Sequence, residues 1–435
     1  MLSLFSPSPR SRGTRSFPAP AATLTAGLAI GLTAIALLSG CSSSPKATKP
    51  TPGDSRLYAF WPPPPSEPKV QFLRSLNSST DISGKEQSGF DKLVFGDEKA
   101  SAADINKPYG IASYHGRIYV CDIRNNALMA MDLAKQQTRL LGTTGQYKLV
   151  QPVDVDIAPD GMIYVADSRN GVVVFDANER YAGTFARDKF EPIGIAVHGD
   201  RIYVCNRPAQ VVEVLDRGSG KLLSTIGTVG DEDGQFRLPL GVAVDGEGNV
   251  HVVDFMRCRL QKFAPDGKFL VGVGASSDTA GNFVKPKHIT IDRAGNVYVV
   301  DAAFQNVQVF NKDYQLLTSF GGGGSFQGAM NLPAGIAVFD GDVGLFGRYI
   351  HPFFQAPDIV LVTNQFGNSK VAAYGVGGLK SGHTGQELAA SLIPVPVDTP
   401  GEKPNPLSGL DQQPLPEQLP PPDAGGAAPP ANQPK

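Results

Sequence analysis

The chain has 435 residues, 41% of them apolar, which is enough for one large domain or two ordinary ones. Lys and Arg number 39 against 41 Asp and Glu, a formal net charge of −2, and the absence of a basic stripe excludes nucleic acid as an expected partner. With 49 Gly and 36 Pro, many turns and at least one disordered segment are predicted.

Arg10, Arg12 and Arg15 precede an uncharged apolar run, residues 21 to 38, which ends in Leu38-Ser39-Gly40-Cys41. A positive flank, an apolar stretch and a small-residue site are the parts of an export signal. The last four residues resemble the lipobox of bacterial lipoproteins. The resemblance implies removal of residues 1 to 40 and a covalent lipid at Cys41, a thioether-linked diacylglycerol plus an acyl chain on the new amino group. One acyl chain holds a protein only marginally, at roughly 0.8 kcal/mol per buried methylene, whereas two or three hold it stably. Ser42, in place of Asp, implies sorting to the outer rather than the inner membrane of the cell envelope. The alternative is a membrane-spanning helix, which needs about 20 apolar residues; Thr23, Thr25, Gly27, Gly31 and Thr33 interrupt this run. Cleavage leaves 36 basic against 41 acidic side chains, a net charge of −5. Residues 41 to 65, rich in Ser, Pro and Lys and ending in four prolines, read as a stiff tether.

Internal repetition then sets the fold. A proline followed by a short apolar strand recurs at Pro108, Pro152, Pro192, Pro239, Pro286 and Pro333, spaced by 44, 40, 47, 47 and 47 residues. Each copy continues through a Gly- or Asn-bearing turn, such as Gly246-Glu247-Gly248-Asn249, into a second strand such as Val297-Tyr298-Val299-Val300-Asp301. Third and fourth strands follow, as in 307 to 310 and 316 to 320. Four short strands per unit describe propeller blades, so the expected fold is all-β, a six-bladed β-propeller with four-stranded antiparallel blades, spanning residues 66 to 380 in a monomer.

The repeats resemble NHL repeats over residues 107 to 377. Asn125 and Arg259 match the asparagine and arginine positions of that family's third-strand signature; most other copies have replaced them. The sixth copy lacks a fourth strand, and an unpaired edge invites aggregation. Pro68 to Leu76, with Val70, Phe72 and Leu73, is the N-terminal strand expected to close the last blade, with Leu93-Val94-Phe95 as the competing segment. From 381 to 435 the chain is a predicted disordered tail with 13 prolines after residue 393. Pro414-Leu415-Pro416 and Pro420-Pro421-Pro422 suit polyproline recognition or plain linker.

Propeller enzymes set their catalytic groups where the inner strands meet the axis. In amidating lyases, which share NHL repeats, metal-binding histidines follow the inner-strand proline; here those positions hold Tyr109, Val153, Ile193, Leu240, Lys287 and Ala334. One residue later stand Gly110, Asp154, Gly194, Gly241, His288 and Gly335. Asp154 and His288 are therefore the candidate channel site, facing each other from blades two and five across a gap expected to be too wide for contact; the other reading is two solvated polar groups at a channel mouth. Two ligands are fewer than the three proteins usually give a catalytic zinc, so a channel metal is left open and no cofactor is predicted beyond the lipid. Asp122, Asp167, Asp254 and Asp301, ending second strands, read as turn caps. Of Cys121, Cys205 and Cys258, small buried hydrophobes are the expectation, with a Cys205 to Cys258 bridge as the alternative.

One insertion breaks the symmetry, between Asp340 and Asp358. Its Phe346, Arg348, Tyr349, His351, Phe353 and Phe354 are a candidate partner-binding loop; the other possibility is that the aromatics fold back over a blade end. The expected function is a lipid-anchored extracytoplasmic binding or scaffold module for a protein partner or envelope assembly. The alternatives are a metal-dependent lactonase or lyase-like enzyme and a cell-wall carbohydrate binder.

Overall fold

The computed structural model describes residues 58–83, 104–145 and 147–392. They form six antiparallel sheets around one axis, a six-bladed propeller. The innermost strands are Pro108–Tyr114, Pro152–Ile157, Pro192–His198, Pro239–Val244, Pro286–Ile291 and Pro333–Val338. Each packs beside the innermost strands of its two neighbours, and the last meets the first.

All six inner strands begin at the repeating proline, and each proline stands opposite the acid or amide ending the second strand: Asp122, Asp167, Asn206, Asp254, Asp301 and Asn364. Proline is tolerated at the first position of a strand because the missing N–H leaves no gap in the ladder. The register shifts directly after every one of these prolines. Such a bulge re-aims the following side chains, here toward the axis.

The strand-ending acids are caps, as expected, and they tie two loops at once. Asp122 accepts N–H bonds from Asn106 and Lys107 before the inner strand and from Arg124 and Asn125 after its own strand. Asp167 does the same with Val150, Gln151, Arg169 and Asn170, and Asp301 with Val284, Lys285, Ala303 and Phe304. Asp254 takes Arg237, Leu238 and Arg257. Buried carboxylates satisfied by several N–H donors fix loop geometry firmly.

Second strands such as Ile163–Asp167 and Val297–Asp301 are buried along their whole length because blades stack on both faces. Outermost strands such as Leu222–Ile226 are largely exposed. Across blade seams, Tyr119 donates to Glu179 (3.2 Å), and Tyr314 and His251 share a hydrogen bond of 2.9 Å.

Blade six contains Pro333–Val338, Phe354–Asn364 and Val371–Leu379, and its fourth strand is Val70–Leu76, paired antiparallel with Val371–Leu379. The ring is thus closed by the expected N-terminal strand, while Leu93-Val94-Phe95 lies outside the described residues. A fifth strand, Phe60–Trp61, pairs outside Val70–Leu76, and Trp61 Nε1 reaches the Gly321 carbonyl of blade five (3.0 Å). Packing therefore extends beyond residues 66 and 380 on both sides: Phe60 is buried against Phe354, Ala356 and Leu388 of the helix Gly385–Leu392. Among the described residues no helix is long and apolar enough to cross a membrane; Cys41 and residues 21 to 40 are not among them.

If Val70–Leu76 seals the ring, Val70→Asp puts a charge into a fully buried site and is expected to cost more than about 3 kcal/mol. Leu317→Asp, on an outer strand and 55% exposed, should change urea unfolding by less than about 0.5 kcal/mol.

Candidate functional site

The bulge in each inner strand brings the second residue after the proline to the axis, and four of the six are glycines. An added Cβ at Gly110 would stand 2.4 Å from Asp154 Oδ1, at Gly194 2.3 Å from the Leu240 carbonyl, at Gly241 2.9 Å from His288 Cα, and at Gly335 2.2 Å from the Tyr109 carbonyl. Any other residue would hold the inner strands apart.

Through this narrowing Asp154 and His288 touch. His288 Nε2 lies 3.0 Å from Asp154 Oδ1, which corrects the expectation that the opposite walls stand too far apart. The glycines, visible in the sequence as a repeated position but not as close contacts, draw the walls together. Asp154 Oδ2 accepts the Ile195 N–H of blade three (2.9 Å), and the Ile336 N–H of blade six approaches His288 Nδ1 at 3.4 Å. One Asp–His contact thus joins blades two, three, five and six. Both side chains are buried, Asp154 to 1% and His288 to 7% exposure.

Burial disfavours an imidazolium at His288, and a proton on Nδ1 would face the Ile336 N–H, yet the charges of Asp154 and Asp156 outweigh burial and raise its pKa above the ordinary value. Asp156, two residues along the strand from Asp154, accepts the Val197 and Ile157 N–H groups (2.7 and 2.8 Å). Burial, aided by the nearby Asp154 charge and opposed by those N–H bonds, pushes its pKa up to about 6. Sequence reasoning missed Asp156, since an acid at that place in one repeat gives no sign that it faces the axis.

A cavity lies on each side of this layer along the inner strands. One, of 220 Å³, is lined by Ser113, Asp156, His288, Thr290 and the aliphatic residues around them. The other, of 290 Å³, is lined by Tyr109, Val153, Ile193, Leu240 and Lys287, the residues directly after the prolines, together with Leu238 and Phe255. Among the described residues no three His, Cys, Asp or Glu side chains gather as a metal site would require.

The insertion of blade six folds back. Its 3-10 helix Val343–Tyr349 buries Phe346, 2% exposed and edge-on to Phe339 at 5.2 Å, in the core shared with blade one. His351 donates its N–H to Gln71 Oε1 (3.0 Å) and sits among Tyr58, Phe60 and Phe353; Phe354 is fully buried against Phe60. These three residues present no docking surface, because the closing strand leaves a blade end that they cover. What faces solvent is Arg348, exposed, with the half-buried Tyr349 beneath it (4.7 Å) and the half-buried Phe353, stacked on His383 at 4.0 Å. Cys121, Cys205 and Cys258 are free and buried, so Cys205 and Cys258 are not bridged.

The axial pair has two measurable consequences. His288→Ala leaves Asp154 buried without its partner and should cost about 3 kcal/mol or more at pH 7, and the Asp154→Ala, His288→Ala double variant should lose clearly less than the two singles added. Asp156, with its pKa above the unfolded value, binds its proton more tightly in the native state, so this group's contribution to stability falls as pH rises from about 4 to about 6. Asp156→Asn should flatten urea-derived stability against pH over that window; a slope equal to wild type would contradict the assignment.

No family model matches the chain, and no curated protein matches it. Solved structures do. The chain is similar to a structural-genomics protein of unknown function from Bacteroides thetaiotaomicron, with a TM-score of 0.50 and 13% identity over 71% of this chain and 76% of that one. It is also similar to virginiamycin B lyase from Staphylococcus aureus (TM-score 0.46, 10% identity, 71% and 99% covered) and to a gluconolactonase from Xanthomonas campestris (0.45, 13%, 62% and 86%). At such identities the likeness leaves function to the site.

Proposed function

We propose that the chain is an NHL-type bacterial lipoprotein, anchored through Cys41 in the outer membrane, whose propeller serves as a binding or scaffold module for a protein partner in the cell envelope. The observation that supports a binding rather than a catalytic propeller is the buried Asp154–His288 contact. Asp154 and His288 bind each other and the backbone of two further blades and are both buried, which suits a brace. Sixteen residues separate Cys41 from Tyr58, the first described residue. They belong to the Ser/Pro-rich segment 41 to 65 that this reading takes as the tether between lipid and propeller. Arg348, with the edges of Tyr349 and Phe353, is the part of the blade-six insertion left to meet that partner.

Metabolic labelling with a palmitate analogue, followed by fractionation, tests the anchor. Wild type should be acylated and sediment with the outer membrane, and Cys41→Ser should lose both properties; a wild-type protein without acyl groups would overturn the anchor. A photo-crosslinker at Arg348 in intact cells tests the scaffold role, which predicts one defined protein adduct, whereas labelling confined to the propeller itself would contradict it.

A further inference from the structure

The cavity on the proline side of the axial layer combines an apolar wall with polar groups that the fold leaves unused. Val153, Ile193, Leu238, Leu240 and Phe255 supply the wall of a 290 Å³ cup, near the lower end of the roughly 300–1,000 Å³ range of small-molecule sites. Ser168 lines the same cup; the residue is 3% exposed, and its Oγ is buried with no hydrogen-bond partner among the described residues. Buried hydroxyls are seldom left so, and each one calls for an explanation.

Lys287, half-buried, is the second polar group of the cup. Its Nζ sits over the Tyr109 ring, 5.5 Å from the centroid, and no carboxylate pairs with it among the described residues. Burial and the nearby charges of Lys107 and Lys285 bring its pKa down to about 8. The acids whose backbone partners lead into the inner strands, Asp122, Asp167, Asp254 and Asp301, are turned to backbone N–H groups and almost fully buried, so they offer the ammonium no direct partner.

We propose that this cup binds a small carboxylate with an apolar body, the carboxylate meeting Lys287 and the body resting on Leu240, Ile193 and Phe255. A carboxylate gives the ammonium the counter-ion it lacks, in a cup that also holds the Ser168 hydroxyl. Charge-assisted hydrogen bonds are the strong ones in such surroundings. A dianion such as phosphate has nothing to place against the aliphatic wall. The site needs only the propeller mouth, so it stands or falls independently of the lipid anchor and of any protein partner.

Calorimetric titration of the folded wild-type protein with phenylacetate, hexanoate, 2-phenylethanol and inorganic phosphate tests the assignment. Saturable binding of phenylacetate or hexanoate is expected, with the neutral alcohol and phosphate at least tenfold weaker. Lys287→Met should weaken carboxylate binding tenfold or more with an unchanged or raised thermal midpoint, Ser168→Ala should weaken it less, and Lys312→Met, outside the cup, should leave it unchanged. Leu240→Phe keeps the charge but reduces the volume, and should also weaken binding. No saturable binding of either carboxylate, equal binding of the alcohol, or full binding by Lys287→Met would overturn the proposal.

Discussion

The structure depends on how closely six inner strands can approach one axis. That distance is set by Gly110, Gly194, Gly241 and Gly335, where even a methyl group would fall within 3 Å of a neighbouring blade. Close approach is the condition under which Asp154 and His288 meet; a wider ring would leave each as a separately solvated group. Instead, a buried pair with backbone hydrogen bonds on both sides spans the propeller. Buried ion pairs contribute little net stability against apolar substitutes, but breaking one is expensive. Here the pair acts on geometry, holding four blades to one arrangement.

Around that centre, each repeat contributes the same three devices. A proline starts the inner strand, a register shift turns the next side chains inward, and the residue opposite the proline accepts loop N–H groups: an Asp those of two loops in four blades, Asn206 and Asn364 one each, from Glu191 and Asn331. The last blade departs from the pattern twice. It takes Val70–Leu76 from the other end of the domain, and it adds an aromatic insertion. The two departures are linked, because Gln71 on the closing strand receives the His351 N–H and donates to the Tyr349 carbonyl (2.8 Å). The ring is therefore locked both by strand pairing and by the insertion that lies across the joint.

Much of this was legible in the sequence because it is local and repeated. The prolines and strand-ending acids recur in register, and Val70, Phe72 and Leu73 form an orphan strand with one unpaired edge to fill. Phe60–Trp61 was not legible: two residues carry no periodicity, and the prolines after them read as tether. Direct contact between Asp154 and His288 depends on channel radius, which four glycines from four different blades determine together. Phe346 and Phe354 are as suited by composition to docking as to burial, and only the uncovered blade end decides between them. In the sequence Lys287 shows only that no histidine stands there, since its significance comes from unpaired surroundings that no single repeat displays.

The account's central claim is steric, and the most direct measurement is the unfolding free energy of Gly335→Ala beside Gly183→Ala. An alanine Cβ at 335 would stand 2.2 Å from the Tyr109 carbonyl, while at 183 nothing lies within 4 Å. A loss of about 3 kcal/mol at 335 with a change within about 0.5 kcal/mol at 183 is the predicted result. Equal, small changes at both positions would mean that the inner strands are not held at the separation described, and the brace across the axis would lose its basis.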